Sequence, residues 1–241
     1  MSIINVLNWN MQGRDLNWAY LAKNVDFDIA LLQEVTYPSG YEDAFTSIIH
    51  HPKKKRAWGS AIISRKIKLT PYNNLNFGYW GFKLNGSLVV ASTQGENPLH
   101  FASIHAWHGV LETRDFIKNP LNGITLEDKN NIQEISVIRH LSAEYLADKR
   151  FIAGGDLNAT YERDSKVLNN FSKLGFQDAS KKFYDQAQPT FFKKGSKPSD
   201  LDHIFTDQKG YNQVTSWQVL VEVATDLELS DHAPILMQYE M

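Results

Sequence analysis

Phe151-Ile152-Ala153-Gly154-Gly155-Asp156-Leu157-Asn158 decides how the rest of this chain is read. An apolar run climbs to two glycines, then presents a carboxylate and a carboxamide two positions apart. Residues two apart on a strand share a face, so Asp156 and Asn158 are expected to look into one cavity from the strand's end. The glycines clear side chains where another backbone or a ligand comes close. A carboxylate can accept a proton, hold a metal or orient water, and a carboxamide can donate to a phosphate oxygen. An isolated D-x-N reads more simply as an Asx turn closing a strand. Other stretches with matching chemistry shift that reading.

The chain has 241 residues, 42% of them hydrophobic, which suits one α/β or β-sandwich domain spanning 1–241. It has no cysteine, so disulfides, thiol catalysis and Cys-zinc sites are excluded. A formal net charge of -2 argues against generic attraction to polyanions, so any phosphate-rich substrate must be held locally. No apolar run approaches the roughly 20 residues of a membrane span. Met1 to Asn10 lacks a basic, apolar leader, and a cytoplasmic monomer is expected.

Outward from the central stretch, other apolar runs also end on polar groups. Ile3 to Asn10 reads as a strand with Asn8 and Asn10 on one face. Asp28 to Glu34 reads as a buried strand ending on a carboxylate, and His100 to His105 as one ending on an imidazole. Alone, Glu34 would be a solvated strand end and His105 a structural histidine. Trp58 to Arg65, Leu88 to Thr93, Leu201 to Phe205 and Val214 to Val223 also read as strands. Asp15 to Lys23, a stretch from Thr125 to about Lys149, and Asp164 to Leu174 read as helices. His51 to Arg56 is a basic run, read as a solvated loop or, less simply, a phosphate-tracking patch. Tyr72 to Phe82 is rich in aromatics, suited to hairpin packing or to stacking on bases or lipids. Trp107 and Arg114 lie in a long loop of the kind that contacts substrate. Strands outnumber helices and no linker divides the chain, which suggests two packed sheets with helices outside.

Six segments then stand out in order: Trp9-Asn10, Leu32-Gln33-Glu34-Val35, Ser103-Ile104-His105, Gly155-Asp156-Leu157-Asn158, Leu201-Asp202-His203-Ile204 and Ser230-Asp231-His232. Together they resemble the endonuclease/exonuclease/phosphatase superfamily, in its deoxyribonuclease-like, His-containing branch. The resemblance spans nearly the whole chain. It implies a four-layer α/β sandwich, two mostly antiparallel sheets face to face with helices on the outer faces. It also implies a phosphoric ester hydrolase dependent on Mg²⁺, with Mn²⁺ or Ca²⁺ as substitutes. Hard cations take oxygen ligands and neutralise the phosphodiester that repels a nucleophile. By the same resemblance Glu34 would hold the metal, with Asn10 beside it and Asp231 as an additional or His-orienting carboxylate. Asp156 would hold or activate the attacking water. His232, paired with Asp202, would act as base or as protonated phosphate stabiliser. Asn158 and His105 would contact phosphate. One departure is Gln12, where apurinic endonucleases of the family often carry an acid.

Nucleic acid is the substrate this reading favours, because basic segments accompany the catalytic set. Inositol phosphates or phospholipid headgroups are the alternative, prompted by the aromatic stretch. A non-catalytic binding module of the same fold is the third reading, disfavoured because the catalytic positions are filled.

Overall fold

The computed structural model describes residues 2–53, 56–72, 86–106, 138 and 142–241. In chain order its strands are β1 (Ile3–Asn10), β2 (Ile29–Val35), β3 (Ser47–Pro52), β4 (Gly59–Ser64), β5 (Leu69–Pro71) and β6 (Leu88–Thr93). They continue with β7 (His100–His105), β8 (Phe151–Asp156), β9 (Gln177–Asp178), β10 (Asp202–Thr206), β11 (Val214–Val219) and β12 (Ile235–Glu240). Four helices are described end to end: α1 (Leu16–Asn24), α2 (Tyr161–Lys173), α3 (Gln208–Gln213) and α4 (Glu222–Thr225). Residues 142–146 are also helical.

The strands form two six-stranded sheets, ordered β11-β12-β1-β2-β4-β3 and β5-β6-β7-β8-β10-β9. Pairing is antiparallel except for one parallel pair at the heart of each sheet, β1 with β2 and β7 with β8. Three buried apolar clusters fill the three gaps between four layers. Ile4, Val6, Ile29, Leu31, Phe101 and Ile204 pack between the sheets. Leu7, Trp9, Trp18 and Leu21 join α1 to the outer face of the first sheet. Ala153, Tyr145, Leu168 and Phe171 join helical residues to the outer face of the second. This is the expected sandwich.

Strand alternation explains how apolar strands end in a site. Along β1 the row facing the other sheet is Ile4, Val6, Asn8, Asn10; along β7 it is Phe101, Ser103, His105; along β8 it is Ile152, Gly154, Asp156. Each row starts in the apolar core, passes a small or polar residue and finishes on a functional group. A buried hydrogen-bonded layer lies between. Gln33 Nε2 donates to Asn8 Oδ1 and to Ser103 Oγ, both at 3.0 Å, and Ser103 Oγ donates to Leu32 O at 2.8 Å.

Gly155 is required by packing. A Cβ there would lie 1.7 Å from Ile104 O on the adjacent β7. Gly155→Ala is expected to cost about 3 kcal/mol through overpacking, read as a lower urea midpoint. A midpoint within error of the unaltered protein would show that β7 and β8 separate freely.

Some sequence expectations change. β11 stops at Val219, because Pro234, opposite Leu220, accepts from Leu220 N but has no N–H to give back, and the chain turns into α4 with Val223 buried, so Val214 to Val223 is not one strand. α2 begins at Tyr161, three residues before the expected start, because the Thr160 side chain accepts from Arg163 N. His51 and Pro52 of the basic run belong to β3, paired with Ser60 and Gly59. Proline is tolerated there on an edge strand. Most of the helix from Thr125, most of the Tyr72 to Phe82 stretch, and Lys54 and Lys55 lie outside the described residues; the described end of that helix is helical over 142–146 and stops short of Lys149. No helix among the described residues is long and apolar enough to cross a membrane.

Candidate active site

The parallel pairs β1/β2 and β7/β8 end side by side, and their last residues meet. Asn10 Nδ2 donates to Asp156 Oδ2 at 2.9 Å and lies 3.4 Å from Glu34 Oε1. His105 Nε2 stands 3.5 Å from Glu34 Oε1 and 3.9 Å from Asp156 Oδ2. Residues from both sheets therefore share one cluster.

Glu34 reaches it by a local irregularity. Strict alternation would send its side chain outward with Leu32, toward α1. The pairing of β2 with β4 shifts register between Leu32 and Val35, and Glu34 takes a left-handed φ of 51°. A bulge of this kind re-aims a side chain, and a non-glycine residue in this region stores backbone strain. Asn158 also departs from the pleat. It lies beyond β8 with φ 50°. Its N–H donates to Asp156 Oδ1 at 2.9 Å, and its Nδ2 donates to Ala106 O at 2.9 Å and Asp156 Oδ2 at 3.2 Å. A left-handed turn, not a shared strand face, sets it beside Asp156.

Across from Asp156, His232 Nδ1 pairs with Asp202 Oδ2 at 2.8 Å. Asp202 Oδ2 also accepts from Thr190 Oγ1 at 2.7 Å. His232 Nε2 faces Asp156 Oδ2 at 3.8 Å and Asp231 Oδ1 at 3.9 Å. Burial would lower the His232 pKa, but the Asp202, Asp156 and Asp231 carboxylates outweigh it and push it up to about 10. Burial raises Asp156 to about 7, against the opposing pull of His232 and aided by Asp202. Burial lowers His105, and the nearby Lys53, His232 and Arg56 charges add to that. The site thus joins a cationic imidazole, a neutral imidazole and a carboxyl poised near neutrality.

Glu34, Asp231, Asp156, Asn158, Asp202, His232, His105 and Asn10 all come together, while Trp107 and Arg114 lie outside the described residues. Asn10 differs from the oxygen ligand expected: its Oδ1 accepts from Gln12 N at 3.0 Å and its Nδ2 faces both carboxylates. Sequence reasoning missed Thr190, whose contact with Asp202 depends on how a loop folds back. It also missed Phe191, whose ring lies 4.9 Å from that of His232. Phe191 and Asn158 share a cleft of about 400 Å³ with Arg163 and Lys197.

Among the described residues, Glu34, His105 and Asp156 present ligand atoms within 4.8 Å of one another, as do Asp156, Asp202 and His232. In the second group Asp202 Oδ2 is already held by His232 and Thr190. Each group has two carboxylates and one histidine, but the first has no carboxylate paired so closely with a histidine and is the better fit for a hard divalent cation.

Residues 7–232 match the Endonuclease/Exonuclease/phosphatase family. The chain belongs to this family. As a member of the endonuclease/exonuclease/phosphatase family it is a phosphoric ester hydrolase. No curated protein sequence matches it. Among solved structures, an AP endonuclease from Archaeoglobus fulgidus is similar at 15% identity and TM-score 0.74, with 99% of this chain and 100% of that chain covered. A 3'-5' exonuclease (NExo) from Neisseria meningitidis is similar at 16% identity and TM-score 0.71, with the same coverage. A truncated Caenorhabditis elegans TDP2 has 18% identity and TM-score 0.65, covering 99% of this chain and 98% of that chain. At these identities the likeness speaks for the fold alone.

Outside the site, a second buried ion pair steadies the same region. His203 Nδ1 lies 3.3 Å from Asp178 Oδ2, and its Nε2 lies 3.1 Å from Ala159 O. Burial would raise Asp178, but its bonds and charge contact with His203, Ser180 and Tyr161 lower it. Burial would lower His203, but the Asp178 bond and charge raise it. The Asp178 contribution is present above its unfolded value and lost as pH falls through its depressed folded value. The His203 contribution is full below its unfolded value and lost as pH rises through its raised folded value. Between roughly pH 4 and 6.5 both hold. His203→Gln is therefore expected to lower stability by about 3 kcal/mol at pH 5, with the gap to the unaltered protein narrowing at alkaline pH. Urea unfolding at pH 5 and pH 9 measures this; a gap that widens with pH contradicts the pairing.

Proposed function

We propose that this chain is a Mg²⁺-dependent phosphodiesterase acting on nucleic acid. The observation that carries the reading is the meeting of Glu34, Asp156 and His105 within 4.8 Å, with the Asp202–His232 pair facing Asp156. Glu34 and Asp156 would hold the cation, with Asp231 at its rim; turning the Asn10 amide would add Oδ1 to the ligands. When bound, the cation neutralises phosphate charge and brings the buried Asp156 carboxyl back toward its ionised form.

The side chains divide the remaining work by protonation state. Asp156 orients the attacking water and takes its proton. His232, kept cationic by Asp202, donates from Nε2 to a phosphoryl oxygen as negative charge builds. Asn158 donates to a second phosphoryl oxygen once substrate displaces one of its present acceptors. His105, neutral, supplies a hydrogen bond from the facing side. Support for nucleic acid comes from Lys53 and Arg56 near His105 and from the nucleases among the structurally similar proteins.

The test is a panel of plasmid, single-stranded DNA, RNA, inositol phosphates and phospholipid vesicles with Mg²⁺, Mn²⁺, Ca²⁺ or chelator. Strand cleavage that needs metal and stops with chelator is expected. Release of phosphate or headgroup with intact nucleic acid would move the reading to the alternative substrates, and inertness toward all would defeat it. Mn²⁺ is also expected to raise the melting temperature by binding the folded state. Glu34→Gln should weaken that effect at least tenfold in metal concentration, the order expected when a charged oxygen ligand is lost. An unchanged Mn²⁺ response would remove Glu34 as ligand.

A further inference from the structure

His105 is buried, yet one of its ring nitrogens is left over. Nε2 faces Glu34 and Asp156, and the backbone N–H donates to Ser87 O at 2.8 Å. Nδ1 is buried with no hydrogen-bond partner among the described residues. A functional imidazole is usually oriented by a bond at its second nitrogen. Among the described residues no such bond fixes which way the ring faces.

An aromatic ring packs against the imidazole. The Trp58 ring lies against His105, with centroids 5.9 Å apart and planes tilted by 39°. Trp58 is half-buried at the end of the β3–β4 turn, where its carbonyl accepts from Lys53 N at 2.9 Å. The turn's cations cover the indole: the Arg56 guanidinium lies 4.6 Å and Lys53 Nζ 5.6 Å from its ring centroid. A cation over an indole is held by the ring's quadrupole. The basic run thus lies over the same indole that packs, tilted, against the imidazole of the catalytic cluster.

We propose that Trp58 is a positioning residue for His105, fixing the imidazole plane by ring packing so that Nε2 faces the substrate phosphate. The inference rests on the hydrolytic reading above and adds a residue to it. Misplacing a positioned group lowers the rate of the chemical step more than it weakens binding. Trp58→Ala should therefore lower kcat about ten- to a hundredfold with little change in KM. Trp58→Phe, which keeps a flat face, should recover most of the loss, while Trp58→Leu, which keeps bulk alone, should not.

Two substrates separate positioning from strand contact: an oligonucleotide and a small chromogenic phosphodiester too short to reach Lys53 or Arg56. The proposal expects the kcat loss on both. It also expects no added loss when Trp58→Ala is placed in a His105→Ala background, since the two changes remove one interaction. A loss confined to KM on the oligonucleotide, or a full additional loss in the His105→Ala background, overturns it. If the unaltered enzyme hydrolyses neither substrate, the functional reading falls and the ring contact is still judged by histidine-ring NMR. One sharp His105 signal in the unaltered protein and in Trp58→Phe, but broadened or doubled signals in Trp58→Leu, supports positioning. A signal equally sharp in all three overturns it.

Discussion

Asp156→Asn is expected to lower kcat about a thousandfold while the protein stays folded. Asp156 is buried and accepts three hydrogen bonds, two from Asn158 and one from Asn10. It also faces both histidines within 4 Å. The amide is nearly isosteric, so shape survives. It cannot take the proton of an attacking water, and it brings its own N–H groups against donors. Loss of a general base and of a charge matched to the transition state each cost two or more orders of magnitude. Single-turnover cleavage beside circular dichroism measures the effect. A folded Asp156→Asn protein within tenfold of the unaltered rate would mean that another group activates water.

The second large effect concerns Asp202 and His232. Either Asp202→Ala or His232→Ala should lower kcat at least a hundredfold, and the double change should be little worse than the poorer single. The reason is that the two act as one device, with Nδ1 held at 2.8 Å and the cationic form sustained by the carboxylate. Asp202→Ala should also destabilise by about 3 kcal/mol, because a buried charge loses its partner. Rates and urea midpoints of the three variants decide this. Fully multiplicative losses would show that Asp202 works independently of His232.

Much of this was legible in the sequence, for a physical reason. Strand ends are written locally: an apolar run that stops on Asn10, Glu34, His105 or Asp156 announces both the strand and its polar tip. Two layers of helix outside two sheets follow from the same alternation. What stayed illegible was made by chain folding back on itself. Thr190 reaches Asp202 from a loop of ordinary turn composition, and Asp178 reaches His203 across separate strands. The bulge at Glu34 was hidden too, since Leu32-Gln33-Glu34-Val35 gives no glycine or proline to mark a left-handed residue. Val214 to Val223 misled because its apolar residues suit a strand, while Pro234, opposite Leu220, has no N–H to continue the ladder and the chain turns into α4.

The carboxamides of Asn8 and Gln33 and the hydroxyl of Ser103 sit one storey beneath the catalytic floor. Greasy surfaces slide over each other at little cost, but directional bonds do not. Because Gln33 grips the opposite sheet and Ser103 grips back at Leu32, the two halves of the molecule are pinned in one alignment directly under the chemistry. Glu34 arrives on one half and Asp156 on the other, so the spacing between them is inherited from that pin.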